Sequence, residues 1–476
     1  MSNPTEPKPR EKLLGLIPLD WRWDITAYQP VRKLFKSRWF PLAAILFNLM
    51  IFAIILLSGL VGGFSSGNYS FGIMIVWILW WVLLMMLLVP GLSRTWCMVC
   101  PLPTVGEWLQ RMRVLGVNSK VGGLNRKWPR ALSNMWVMNI LFLATTFFSG
   151  FFTVKPLATF ILLGGIIVLG IVCSLVFEKR SFCLYICPVS GFQGLYSNMA
   201  MTEIRCKNKA ICDKHKNKTC EVGNKNGYGC PWLLQPYGLN RNTYCGMCLE
   251  CFKTCPFDNM ALNVRPPGTD LLVNSKRGLD EAWKAFIMMG IAVVFYVSMM
   301  GRWGWLKDWV RGDTFTGWLS FAGLHAAFNL LVIPGLFFVF ALLSKLASGA
   351  REVPLKTAFV NLSYSLIPMG LAAWIAFSFG FLLPNGSYLL HILSDPFAWG
   401  WDLFGTAGFP WTPFATEWLV PLQFLSLLGG FALSADYGYR LCRQTYGGGR
   451  RAAYGFIPLL AALTLTVIFF GWLYGG

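Results

Sequence analysis

The sequence predicts an all-α polytopic membrane protein of about nine transmembrane helices, interrupted by one long polar, cysteine-rich insert. Three observations lead there: composition, the spacing of apolar runs, and the segregation of basic residues. Charged residues make up only 13% and hydrophobic residues 55% of the 476-residue chain, and mean hydropathy is +0.53. A soluble domain carries roughly 25% charged residues, so an ordinary soluble enzyme is excluded. Disordered, collagen-like and secreted disulfide-rich classes are excluded with it.

Crossing about 30 Å of hydrocarbon takes about 20 helical residues. Apolar runs of that order fall at 40–62, 71–92, 132–153, 157–177, 283–301, 317–343, 358–383, 417–434 and 454–473. Four regions follow. Residues 1–39 form a polar, Pro-containing N-terminal segment and 40–177 a four-helix membrane core. Residues 178–282 form the polar insert and 283–476 a five-helix membrane domain. A signal peptide would place its apolar core much nearer Met1, so the first run is expected to be retained.

With the N-terminus in the cytoplasm, 1–39, 93–131, 178–282, 344–357 and 435–453 lie inside. Together with Lys284, at the inner end of the fifth run, they hold all but Lys155, Arg302, Lys307 and Arg311 of the 41 Lys and Arg residues. Such a bias orients membrane proteins. The net charge of +20 therefore reads as a topology signal with membrane lipid as its counter-charge, and no nucleic-acid partner is expected. An odd number of crossings places the C-terminus outside. The outer segment 384–416 carries Tyr388, Phe397, Trp399, Trp401, Phe404, Phe409, Trp411 and Phe414, and a shorter one carries Trp303, Trp305 and Trp309. An interfacial aromatic belt accounts for them, and a docking face for an outer partner is the sharper alternative.

Twelve of the 14 cysteines fall at the inner surface or in the insert. Thiols stay reduced in the cytoplasm, which favours metal or redox use over disulfides. Cys245-x2-Cys248-x2-Cys251-x3-Cys255-Pro256 is the bacterial ferredoxin run, in which the fourth cysteine ligates the other of two clusters. Cys206, Cys212 and Cys220 precede Cys230-Pro231 and supply the second set. The crossed assignment gives Cys245, Cys248, Cys251 and Cys230 to one [4Fe–4S] cluster. It gives Cys206, Cys212, Cys220 and Cys255 to the other, making the insert a ferredoxin-like two-cluster domain. Zinc is the alternative occupant of four thiolates.

Four more cysteines end the second and fourth apolar runs: Cys97-x2-Cys100-Pro101 and Cys183-x3-Cys187-Pro188. Each motif closes a hairpin and precedes a segment with helix-like apolar spacing, a weak internal repeat. Together they have enough thiolates for a third Fe–S cluster. Copper(I), with Met98 as a soft neighbour, and plain thiols without metal remain open. Cys173 and Cys442 have no partner by spacing. The only histidines are His215, His325 and His391, too few for a haem ladder. His325 lies inside the sixth apolar run. An intramembrane ionisable side chain is a functional candidate, here for the proton of a quinone head group, with a hydrogen bond between helices as the alternative.

The segments CMVCPL, FCLYICPVSGFQG, GYGCPW and NTYCGMCLECFKTCPFDNMALNVRP resemble the membrane polyferredoxins of the NapH, NosR and CcoG type over about residues 40–275. Cys183 and Cys187 match the family's Cys-x3-Cys-Pro motif, and Cys97 and Cys100 depart from it by one residue. The resemblance implies a bacterial or archaeal cytoplasmic-membrane protein, clusters on the cytoplasmic side, moving electrons between the quinone pool and another redox subunit or periplasmic oxidoreductase. The CcoG likeness implies instead a metal-reducing assembly factor. A redox-sensing membrane regulator is a third possibility. The five C-terminal runs lie beyond the resemblance.

Overall fold

The computed structural model describes residues 11–62, 69–117, 122–273, 277–300, 304–312 and 314–475. Arg302 and Trp303 lie outside them, and the side chains of Trp305 and Arg311 are not among those described. Among the described residues eight helices are long and apolar enough to cross a membrane: Trp39–Gly62, Phe71–Leu92, Pro156–Val176, Leu279–Met300, Phe315–Ser348, Leu355–Asn385, Thr416–Tyr446 and Arg450–Gly475. Leu355–Asn385 and Leu279–Met300 form the centre, with 78% and 67% of their apolar stretches buried, against at most 50% for the others. Apolar side chains all round are tolerated at both positions, because the centre meets protein and the periphery meets lipid.

The third expected crossing is not a long helix, which corrects the expected nine to eight. Trp136–Thr146 is 11 residues, the chain then turns at Phe147 and Phe148, and Ser149–Phe152 adds one short turn. The hydroxyls of Thr145 and Thr146 donate to the carbonyls of Phe142 and Leu143 at 2.8 and 2.6 Å. Phe148 N–H tightens onto Thr145 O. Back-bonding hydroxyls followed by a Ser-Gly pair are recognised causes of a break. The broken segment is tied to two of the long helices. At one end Met135 N–H and the Asn139 amide both donate to Asp280, at the start of Leu279–Met300. At the other, Trp318 Nε1 donates to Phe147 O at 3.0 Å, near the start of Phe315–Ser348.

The cysteine motifs gather at the end of the bundle where Leu279–Met300 begins. Strand Met260–Val264 lies there between Thr202–Cys206 and Trp23–Asp24, antiparallel to both. The N-terminal segment thus contributes an edge strand to the insert's sheet. Lys207 pairs with Asp24 at 2.8 Å, and Phe35 packs edge-on against Phe252. Arg265, buried beneath the sheet, bridges Glu203 and Asp270.

Candidate metal centres

The run from Cys245 to Cys255 coils tightly because two of its residues, Met247 and Leu249, adopt left-handed backbone at φ 51° and 63°. Gly246 lies flat against Trp232, and a Cβ there would sit 2.0 Å from the indole. Cys245, Cys248 and Cys251 then line one cavity with Cys230, walled by Ile204, Trp232, Leu234 and Leu249. The short helix Glu250–Thr254 carries the chain past Cys251 and delivers Cys255 elsewhere. Cys255 lines a second cavity with Cys212 and Cys220. Cys206 borders it, interacting with Cys212 and lying 3.4 Å from Tyr237 O. Two N–H groups of Asn259 point at sulfurs here: its backbone to Cys255 at 3.4 Å and its amide to Cys212 at 3.2 Å. His215 stands at the rim against Phe257.

The remaining motifs form a third group. Cys97, Cys183 and Cys187 are buried in one cluster that also takes in Cys173 and Trp232, and Cys100 feels both Cys97 and Cys187. The one-residue difference in spacing is absorbed by the backbone. Trp96–Val99 is a single α-turn, whereas Phe182–Ile186 is a wider π-turn closed by Cys187 N–H on Phe182 O at 2.9 Å. A π-turn accommodates one extra residue. Cys100 and Cys187 consequently occupy the same place: each is the extended N-cap residue of the next helix, with proline at its first position. Met98 packs into the cluster around Cys220 and Cys251 rather than among these thiols, so no thioether joins the group.

Residues that spacing alone did not single out complete this site. Arg94, Arg180 and Lys284 are 2%, 7% and 0% exposed. The two arginines cross between repeats. Arg180 donates to Cys97 O at 2.7 Å, while Arg94 bonds Ser190, whose hydroxyl in turn bonds Cys183 O. Arg94 also donates to Thr243 O at 2.6 Å and lies 3.8 Å from the Cys97 sulfur. Lys284 reaches toward Met138 O at 3.4 Å and lies over the Phe142 ring. Among the described residues the only carboxylate bonded to these three is Glu107, held by Arg180 and Arg111. The repeat itself carried the signal for the arginines: Arg94-Thr-Trp-Cys97 and Arg180-Ser-Phe-Cys183 align residue for residue.

Burial raises several of the thiols: Cys187, Cys220, Cys230 and Cys245 to about 11, and Cys248 to about 12. Left alone they stay protonated, and a metal centre would ionise them. Among the described residues no three or more His, Cys, Asp or Glu side chains converge tightly enough to hold a single ion. A lone tetrahedral ion with bonds of about 2.3 Å draws its thiolates close together.

The three groups are contiguous. Trp232 packs with Cys97, Cys183 and Cys187 on one side and walls the Cys230 cavity on the other. Cys251 and Cys220 interact across the gap to the outermost group. His325 stands well apart, 1% exposed, its Nε2 3.0 Å from Thr146 Oγ1 and its ring against Phe147 and Phe321. His325 contacts the third apolar run at its break. Comparison of the chain with protein-family models, with curated proteins and with solved structures returns no match.

Proposed function

We propose that the protein is a membrane-bound iron–sulfur electron-transfer protein, linking the quinone pool to a partner oxidoreductase, with its clusters on the cytoplasmic side. The observation that carries this reading is the sorting of the ferredoxin run: Cys255 leaves its three neighbours for the cavity of Cys212 and Cys220, and Cys230 takes its place. Paired four-iron clusters exchange a cysteine in this way. Cys245, Cys248, Cys251 and Cys230 would hold one cluster, and Cys206, Cys212, Cys220 and Cys255 the other. Bound clusters supply one-electron chemistry with little rearrangement.

The chain's own residues set the conditions. Asn259 offers N–H groups to sulfur, and hydrogen bonds to cluster sulfurs raise the potential. At the bundle end, Arg94, Arg180 and Lys284 outnumber Glu107. Buried charge needs a partner, and an anionic third centre on Cys97, Cys100, Cys183 and Cys187 would supply it. Copper(I) is the weaker occupant, since Met98 faces away from the group. The test is analysis of anaerobically purified protein. About eight irons and eight acid-labile sulfides per chain are expected from two clusters, and about twelve with the third. Stoichiometric zinc without iron would overturn the reading.

A further inference from the structure

Next to the third cysteine group, inside the bundle, lies a cavity of about 160 Å³. Its wall begins at Trp96 and Pro188, the immediate chain neighbours of Cys97 and Cys187, and extends to Phe152 and Thr153 at the far end of the broken crossing. Val189 and Ile166 line it and also pack against the cluster of Cys97, Cys183 and Cys187. One layer of side chains therefore separates the cavity from these thiols.

The wall is aromatic and aliphatic, with few polar groups. Thr145, Thr146 and Thr153 spend their hydroxyls on backbone carbonyls. Ser149 and Trp81 also line the cavity, and Ser149 Oγ and Trp81 Nε1 are buried with no hydrogen-bond partner among the described residues. Unmet buried donors are rare because each forfeits its bond to water. Two of them on one apolar cavity mark the places of a ligand's acceptor atoms.

We propose that this cavity binds a prenylated quinone, its ring oxygens accepting from Ser149 and Trp81 and its tail lying along the apolar wall. The ligand must be apolar enough to arrive through lipid, flat enough to lie among tryptophans, and furnished with acceptors. An alkyl chain of a lipid would leave both donors unmet. The choice of a quinone rests on the electron-transfer reading above, while the cavity and its unmet donors do not.

The test uses full-length protein in nanodiscs, with decylubiquinone as the probe and undecanol as a ring-free competitor. Ser149→Phe, which fills the cavity, should weaken decylubiquinone binding about tenfold or more, and Trp81→Phe, which keeps a ring but deletes the N–H, by about threefold to tenfold. Unchanged affinity in both variants, or undecanol binding as tightly as the quinone, overturns the proposal. Because a filled cavity can misfold, an azidoquinone photolabel on the unaltered protein provides a second measurement. Label on residues of the cavity wall, such as Trp81, Ser149, Ile166 or Phe192, supports the site, and label confined to residues away from that wall overturns it. Iron content, measured on the same samples, separates the two readings. Quinone bound at this cavity in protein that lacks iron keeps the site and removes the electron-transfer role.

Discussion

The two cavities of the insert and the cysteine group at the bundle end use the same ligand type and are built in opposite ways. In the insert, Cys245, Cys248 and Cys251 are brought together by the four residues between them, two of them left-handed, and the wall is mostly apolar. At the bundle end, Cys97 and Cys183 lie far apart in sequence and meet only because two repeats dock. Each repeat's arginine reaches across to the other's backbone or serine. One site is held by local chain geometry, the other by buried cations bridging two hairpins. The difference teaches where each is vulnerable: the first to loss of a cysteine or a turn, the second to loss of a charge.

The sharpest way to break this comparison is to remove one cysteine from each. Cys251→Ser should cost about four irons and destabilise the insert around it. Cys187→Ser should leave the insert's irons in place, losing at most the third centre. Iron and sulfide analysis of both variants decides it, and equal losses would mean that the sites are one cooperative unit. Next in size is Arg180→Met, which leaves Glu107 buried with half its pairing gone. Removing one partner of a buried pair costs about 3–5 kcal/mol. A melting temperature several degrees lower is expected, with iron in the insert retained. Arg180→Lys should fall between, since it keeps the charge and loses the fork.

Lys284→Met sharpens the comparison further, because this side chain lies near Cys187 and lines neither the Cys230 cavity nor the Cys255 cavity. A bound third centre should become harder to reduce, by on the order of 60 mV, a tenfold change in a one-electron equilibrium. The insert clusters should hold their potentials, and Lys284→Arg should restore the original value. Redox titration followed by electron paramagnetic resonance reads both. A uniform shift of all centres would count against a local role.

The smallest expected effect is in pH dependence. Burial pushes the Glu107 carboxyl up, but Arg111 and Arg180 outweigh it and hold the group at about 2. A carboxyl lowered in the folded state adds stability above its ordinary range, and that stability fades as pH falls from about 4.5 toward about 2. Melting temperature measured across that window should decline with acid. Glu107→Gln should flatten the decline at the bundle end's contribution while starting from a lower value. An unchanged slope would mean that other carboxylates dominate.

Most of the architecture was legible in the chain because hydrophobicity and charge act locally. Eight apolar runs of the required length appear as eight helices, and no neighbour is needed to make twenty apolar residues prefer lipid. The third run read as a ninth by composition alone. Its break depends on hydroxyls turning back onto the backbone and on Trp318 holding the freed carbonyl of Phe147, which window averages do not register. The cysteine motifs were equally visible. Their grouping in the insert followed from spacing, but the equivalence of x2 and x3 at the bundle end needed the π-turn at Phe182–Ile186 to become apparent.

What the sequence determined by itself is therefore the membrane class, the bias of basic residues toward one end, and which thiols are candidates. These are properties of composition and short spacing. Tertiary structure decided what stands around the thiols. Trp232 between two groups, Lys284 over the first turn after Cys187, the strand contributed by Trp23–Asp24 and the apolar cavity beyond Trp96 all arise from residues distant in sequence. Their roles come from the low-dielectric interior that brings them together. There an unpaired charge or an unmet donor becomes costly enough to mean something, and that cost exists only once the helices have packed.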